Sequence, residues 1–95
     1  MSKQFECRVI TPSGSRFQGE ADYVTFPAWD GQYGVMAGMA PILSRLGEGI
    51  LRIDGAQPQK FQTRGGFAHV KDGVLTILSD EVSSITTNQT EAAGV

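Results

Sequence analysis

Two side chains hold most of the reactive potential of this 95-residue sequence: one histidine, His69, and one cysteine, Cys7. Zinc centres draw on three or four nitrogen and sulfur ligands, so this inventory is too small for one. A serine nucleophile would need His69 beside an activated hydroxyl. No Gly-x-Ser-x-Gly elbow is present, and Ser13, in Pro12-Ser13-Gly14-Ser15, reads as a turn residue. Asp22, Asp30, Asp54, Asp72 and Asp80 do not have the spacing of a calcium loop; three of them precede glycine, at Asp30-Gly31, Asp54-Gly55 and Asp72-Gly73, as hairpin turns do. Gly47-Glu48-Gly49-Ile50 lacks the third glycine and the Lys-Ser/Thr sequel of a phosphate loop. No catalytic residue, metal site or cofactor is expected, which leaves binding as the chemistry to explain.

Composition narrows the kind of binding. The chain has length for one modest core, and its 40% apolar and 19% charged residues fit a globular domain. With 8 basic and 10 acidic residues the net charge is −2, which offers phosphate backbones no electrostatic footprint and argues against a nucleic-acid partner. A lone cysteine closes no intrachain disulfide, as is usual in a reducing compartment. The start, Met1 to Arg8, carries no apolar signal core, and no later stretch approaches the ~20 apolar residues of a membrane helix.

The elements that must present the binding surface are strands. Phe5, Cys7 and Val9 alternate with Glu6, Arg8 and Ile10; Thr11-Pro12-Ser13-Gly14 turns the chain, and Ser15 to Gly19 returns as a second strand. Glu20 to Pro27 alternates again until Pro27-Ala28-Trp29-Asp30-Gly31 breaks it, and Gln32 to Gly38 follows. Met39 to Gly47 fits either a short helix behind Pro41 or an irregular strand; the flanking glycines leave little length for a helix, which favours the strand. Gly49 to Ile53, Gln59 to Arg64, Phe67 to Val70 and Val74 to Leu78 are further strands, with a bend at Gly65-Gly66. Val82 to Thr87 makes a last edge strand. Val74 to Leu78 is apolar on both faces, so it requires cover on both sides, one of them from a partner. The pattern predicts an all-β, antiparallel β-sandwich of about ten short strands over residues 1–87, with 88–95 as a flexible tail.

Seven motifs in register carry a resemblance: Val9-Ile10-Thr11-Pro12 after Phe5, Phe17-x-Gly19, Asp30-Gly31-Gln32-Tyr33-Gly34-Val35, Gly38-Met39-Ala40-Pro41-Ile42-Leu43, Gly49-Ile50-Leu51-Arg52-Ile53, Gly65-Gly66-Phe67-Ala68-His69-Val70, and Val74-Leu75-Thr76-Ile77-Leu78-Ser79-Asp80. Across about residues 4 to 82 the chain resembles the N-terminal β-sandwich domain of the epsilon subunit of F-type ATP synthases, called delta in mitochondria. The resemblance implies a non-catalytic central-stalk subunit that links the gamma subunit to the c ring and couples ion translocation to ATP synthesis. It also implies a peripheral position on the cytoplasmic face of the bacterial plasma membrane, reached only through the complex. By position, Asp30, Gln32 and Tyr33 are implied c-ring contacts, and Thr11, Met39, Ser44 and Arg64 gamma contacts.

Three departures from the family pattern matter. Gln32 stands where a carboxylate is common, which keeps hydrogen-bonding reach without charge, and Asp30 is placed to compensate. Gln32 and Tyr33 also have a plainer reading, as residues that complete a hairpin. Met39 replaces the histidine that usually precedes Ala-Pro and cannot titrate. The sequence ends at Val95, without the C-terminal helical hairpin of most bacterial relatives; if the sequence is whole, the expectation is little inhibition of ATP hydrolysis and no nucleotide site. The alternatives are a free-standing ligand-binding sandwich entered past Trp29 and Tyr33, or a regulatory binding module.

Overall fold

Eight strands follow one another in the computed structural model, which describes residues 3–85: β1 (Phe5–Thr11), β2 (Gly14–Ala21), β3 (Tyr23–Ala28), β4 (Gly31–Met36), β5 (Ile42–Arg45), β6 (Glu48–Asp54), β7 (Gln59–Lys71) and β8 (Val74–Ser84). The expected all-β sandwich is present, and the Met39–Gly47 stretch contributes a strand, β5. Strand number differs for a physical reason. The segments 59–64 and 67–70 run together as β7, and 74–78 continues through 82 as β8, so ten expected strands become eight. The expected tail, 88–95, and the end of the last strand, at Thr86 and Thr87, lie outside the described residues.

Two halves share these long strands. The C-terminal part of β7 pairs with β5 on one side and with the start of β8 on the other, and β8 then pairs with β1, which pairs with β2. The N-terminal part of β7 pairs with β6 and with the end of β8, and β6 leads through β3 to β4. One cluster of buried side chains draws on both halves: Cys7, Val9, Ala68, Leu75 and Ile77 from the first, Val24, Phe26, Leu51, Ile53 and Phe61 from the second. The halves therefore face each other across a single core. All ladders are antiparallel except β1 with β8, which is parallel; an antiparallel-only sandwich is corrected at that pair. The expected strand over Glu20–Pro27 is also corrected. The chain leaves the first half at Ala21, opposite Phe5, and enters the second at Tyr23, opposite Met36, so the alternation spans two strands.

The corner between the halves is built from Gly65, Gly66, Ser79 and Asp80. Before it, Phe61 and Thr63 point inward; after it, Ala68 and Val70 do, so the inward set changes from odd to even positions. On β8 the inward set likewise changes from odd to even positions, from Leu75, Ile77 and Ser79 to Val82. Register does not slip: Arg64 opposes Glu81 and Gly66 opposes Ser79. Gly65 and Gly66 take φ of 72° and 108°, in the region side chains avoid. At Gly66 a Cβ would also fall inside contact distance of the Leu78 carbonyl. The buried Ser79 hydroxyl lies within reach of the carbonyls of Glu81 at 2.9 Å, Gly65 at 3.0 Å and Arg64 at 3.4 Å, so its one proton always finds an acceptor where the ladder is bent.

Gly66→Ala is expected to lower stability by about 3 kcal/mol, from left-handed backbone strain added to a backbone clash. Gly38→Ala also sits at positive φ but meets nothing within 4 Å, and is expected to cost only about 1 kcal/mol. Urea unfolding followed by circular dichroism measures both.

Candidate functional site

Strand alternation sends one set of side chains out of the first half, and at the row nearest the corner that set is apolar. Arg45 on β5 opposes Phe67 on β7, Phe67 opposes Leu78 on β8, and Leu78 opposes Ile10 on β1. Leu43, one outward position from Arg45, is 71% exposed; Phe67 and Leu78 are 47% and 45% exposed. An open groove of about 480 Å³ runs along this row, lined by Ile10, Phe67, Leu78, Arg45 and Asp80 and by the backbone of the corner glycines. A shallower apolar hollow, formed by Leu43, Phe67, His69 and Leu78, adjoins it. Contiguous exposed apolar side chains on a sheet face mark a protein contact. His69 is half-buried between Leu43 and Thr76 on this outward face.

A second feature is the β3–β4 hairpin. Ala28 opposes Gly31, so Trp29 and Asp30 form its tip, and Trp29 is 70% exposed. The tip backbone is held from one side. Trp29 N–H donates to Arg45 C=O at 3.1 Å, Gly47 N–H donates to Pro27 C=O at 2.8 Å, and Ala28 bridges Leu46. Leu46 N–H in turn donates to Gly66 C=O at 2.8 Å and Gly65 N–H to Gly47 C=O at 3.3 Å. Gly47 is a glycine because a Cβ there would come 2.9 Å from the Ala28 carbonyl oxygen. Corner, groove margin and hairpin tip thus form one continuous backbone network.

The residues singled out in the sequence fall into this frame unevenly. Asp30 and Gln32 are exposed at the hairpin, whereas Tyr33 alternates to the opposite face and packs its ring on buried Phe26, centroids 5.5 Å apart. Thr11 lines the groove, but it is buried and caps the β1–β2 turn, its hydroxyl donating to Gly14 C=O and accepting from Ser13 N–H, both at 3.2 Å. Ser44 and Arg64 are sequence neighbours of the groove residues Arg45 and Gly65. Ser44 opposes buried Ala68 on the inward side, and Arg64 is exposed, 3.6 Å from Glu81. Met39 packs against the core margin and takes the Met36 N–H on its sulfur at 3.3 Å. The structure does not bring these four into one patch. The row it does assemble, Ile10, Phe67 and Leu78, was missed residue by residue, although the apolar outward face of β8 was a readable signal. Neither Trp29 nor Tyr33 lines the groove.

Electrostatics at the edges are local. The Arg8 guanidinium, 2.7 Å from Glu6 and hydrogen-bonded to it, holds that carboxyl below its ordinary range, and the Gln18 amide adds a bond at 3.0 Å. Burial pushes the Cys7 thiol from its ordinary 9.0 up to about 12. Among the described residues no group of three or more His, Cys, Asp and Glu is placed to hold a metal ion. Nor is any helix long and apolar enough to cross a membrane.

Residues 4–85 match the family model of the ATP synthase delta/epsilon chain β-sandwich domain. The chain belongs to this family. Its relatives include the ATP synthase epsilon chain of Rhodopirellula baltica, 42% identical over 74 residues, and epsilon chain 1 of Nitrobacter hamburgensis, 39% identical over 82. The matches cover 77% and 85% of this chain but 58% and 61% of theirs, so the delta/epsilon sandwich here spans less than two thirds of those relatives. Among solved structures, a chain in the OSCP/F1/c-ring assembly of the Euglena gracilis mitochondrial ATP synthase superposes with a TM-score of 0.79 at 26% identity, over 95% of this chain and 61% of that one. A chain from the central stalk/c-ring structure of the Tetrahymena thermophila enzyme shares the fold, with a TM-score of 0.75 at 15% identity over 98% of this chain and 88% of its own.

The raised thiol has a signed consequence. At pH 8 folded Cys7 is protonated and buried, so iodoacetamide is expected to modify it only after unfolding, as mass spectrometry reads. Its contribution to stability is complete below the unfolded thiol's ordinary pKa and is lost as pH rises through about 12.

Proposed function

We propose that this chain is a non-catalytic rotor subunit of an F-type ATP synthase, with the groove row docked on the gamma subunit and the β3–β4 hairpin directed at the c ring. The observation that carries the reading is the backbone network between them. From Gly66 C=O through Leu46, Arg45 and Gly47 to Pro27 and Trp29, hydrogen bonds of 2.8 to 3.1 Å join the gamma-facing groove to the ring-facing tip. A load applied at one end reaches the other through hydrogen-bonded sheet rather than through a loop. The family supports the same reading, since its members named above are ATP synthase epsilon chains. Within it, Thr11 in the groove wall and Arg64 beside the corner are the candidate gamma contacts nearest the groove, while Met39 at the core margin and Ser44 on the inward side are candidates by sequence position alone. Asp30, Gln32 and Tyr33 form the ring side. Tyr33 contributes from below, by fixing the hairpin on Phe26. In a bacterium the complex would hold the chain at the cytoplasmic face of the plasma membrane.

The role of such a subunit is to keep rotation of the ring and of gamma in step. It needs stiffness and two adhesive ends but no reactive group, and that matches a sequence whose only thiol is buried and protonated.

The chain is expected to co-elute with the purified gamma subunit of the same synthase at micromolar concentration; separate elution of two folded proteins refutes the assignment. Joint replacement of Asp30 and Gln32 by alanine is expected to weaken attachment of the stalk to the c ring, assayed by pull-down with purified ring, while changing unfolding free energy by less than about 0.5 kcal/mol.

A further inference from the structure

Three strands have an edge with no neighbouring strand among the described residues: β2, β4 and β5. Such an edge templates further pairing unless charge, proline, shortness or a bulge prevents it. β2 is guarded twice. It carries Arg16 and Glu20, and because Val9 opposes Phe17 while Ile10 opposes Ser15, Arg16 is an extra residue that breaks the ladder. β5 has only four residues, ends in Arg45, and gives the Arg45 carbonyl to Trp29 N–H at 3.1 Å. β4 has none of these devices. Gly31-Gln32-Tyr33-Gly34-Val35-Met36 contains no charge and no proline, and its register with β3 is unbroken from Ala28 opposite Gly31 to Tyr23 opposite Met36.

The backbone groups that β4 turns to its free edge are fixed by its neighbours. On an antiparallel strand the N–H and C=O of one residue point to the same side, and successive residues alternate sides. Pro27, opposite Gln32, has no N–H and gives its carbonyl to Gly47 N–H at 2.8 Å. The Pro27–Gln32 pair therefore exchanges no bonds, and Gln32 turns its N–H and C=O outward. Met36 agrees, since its N–H goes to the Met39 sulfur at 3.3 Å rather than to Tyr23 opposite it. Gly34 has the same parity. The edge thus offers Gln32 and Gly34, one on each side of Tyr33, while the Met36 N–H is already taken.

We infer that β4 pairs antiparallel with β4 of a second copy of this chain, about a two-fold axis at Tyr33. Gln32 of each copy then lies opposite Gly34 of the other, each pair exchanging two backbone hydrogen bonds. Tyr33 meets Tyr33 of the second copy at the non-hydrogen-bonded position, where opposed side chains are closest. Its ring is 37% exposed, with one face on Phe26 and the remainder open to this contact. The neighbouring register, centred on Gly34, would require the Met36 N–H that Met39 holds. In the register at Tyr33, Asp30 falls opposite Met36 rather than opposite a second carboxylate, so no like charges face each other across the ladder. A charged edge would be repelled by its own copy; this one is not. Gln32 is also a ring-side candidate, so on that reading pairing and ring docking exclude each other, although the pairing itself does not rest on it.

Sedimentation equilibrium of the 95-residue chain from about 10 µM to about 1 mM is expected to show a dimer half-formed at about 100 µM, the weak affinity of a single-strand interface. Across that range the Gln32 and Gly34 amides are expected to gain protection from hydrogen exchange, read by NMR, while the β2 amides do not change. Gln32→Pro removes one edge donor from each copy and is expected to raise Kd at least about tenfold. Tyr33→Lys and Tyr33→Glu are each expected to raise Kd by more than about tenfold, because like charges then meet on the axis, and an equimolar mixture of the two is expected to pair again. Cooperative unfolding is checked for each variant; if one at Tyr33 fails to fold, Gln32→Pro and the exchange pattern of the unaltered chain decide. Leu78→Asp, on the apolar row, is expected to leave the dimer intact. A chain that sediments as a monomer at about 1 mM overturns the inference. So does a dimer that Leu78→Asp dissolves while the Gln32 and Gly34 amides stay unprotected, since the apolar row then holds the two copies together.

Discussion

A sandwich made from one continuous sheet must turn its strands from one layer into the other without losing hydrogen bonds. In this molecule the turn is made at one place, where Gly65 and Gly66 of β7 lie against Asp80 and Ser79 of β8. Each strand has to exchange the set of side chains it buries, because the face that looks inward in one half looks outward in the other. On β8 the exchange leaves Asp80 and Glu81 both exposed between buried Ser79 and Val82; on β7 it needs either an inserted residue or a backbone conformation closed to most residues. Here it is the second. Two adjacent glycines at positive φ absorb the change, register is kept, and the buried Ser79 hydroxyl has backbone carbonyls of the bend within reach as acceptors.

The functional surface follows from that corner. By reversing the inward set, it sends Phe67 and Leu78 outward next to Ile10, so an apolar row forms on the solvent side while Ala68, Leu75 and Ile77 stay in the core. Absence of a side chain at Gly65 lets the Asp80 carboxylate rest over the corner beside the row, and Gly66 supplies the carbonyl that anchors Leu46. From Leu46 and its neighbours the connection to the β3–β4 tip is backbone to backbone. Folding constraint and apolar surface row are two consequences of the same four residues. For the proposed role this economy has a physical advantage: the path from corner to hairpin tip runs through the hydrogen-bonded part of the structure, which opens last, rather than through loops, which open first.

The parts of this design that were legible in the sequence are local. Alternation over Phe5–Ile10 and Val74–Leu78 and the three Asp-Gly turns announced strands and hairpins, and the two-sided apolar character of Val74–Leu78 announced an apolar outer face. The glycine pair announced a bend. Which contacts assemble the surface was less legible. Thr11 and Ser44 have side chains suited to contact, yet Thr11 caps its own turn and Ser44 faces Ala68 on the core side. Tyr33 has the look of a contact residue and spends one face of its ring on Phe26. Phe67 and Leu78, 11 positions apart, meet through the antiparallel β7–β8 hairpin, whereas Ile10, 57 positions before Phe67, joins them only through the parallel β1–β8 pairing, which leaves no local signal.

By itself, the sequence determined the class of the fold and membership of the delta/epsilon family, because these depend on period and motif order, which are properties of the chain read along its length. Tertiary structure alone decided which strands merge, which half each strand joins and which apolar residues meet on the outside. Those outcomes depend on pairings between distant segments, and a pairing is selected by how well the whole core closes rather than by any residue's own preference.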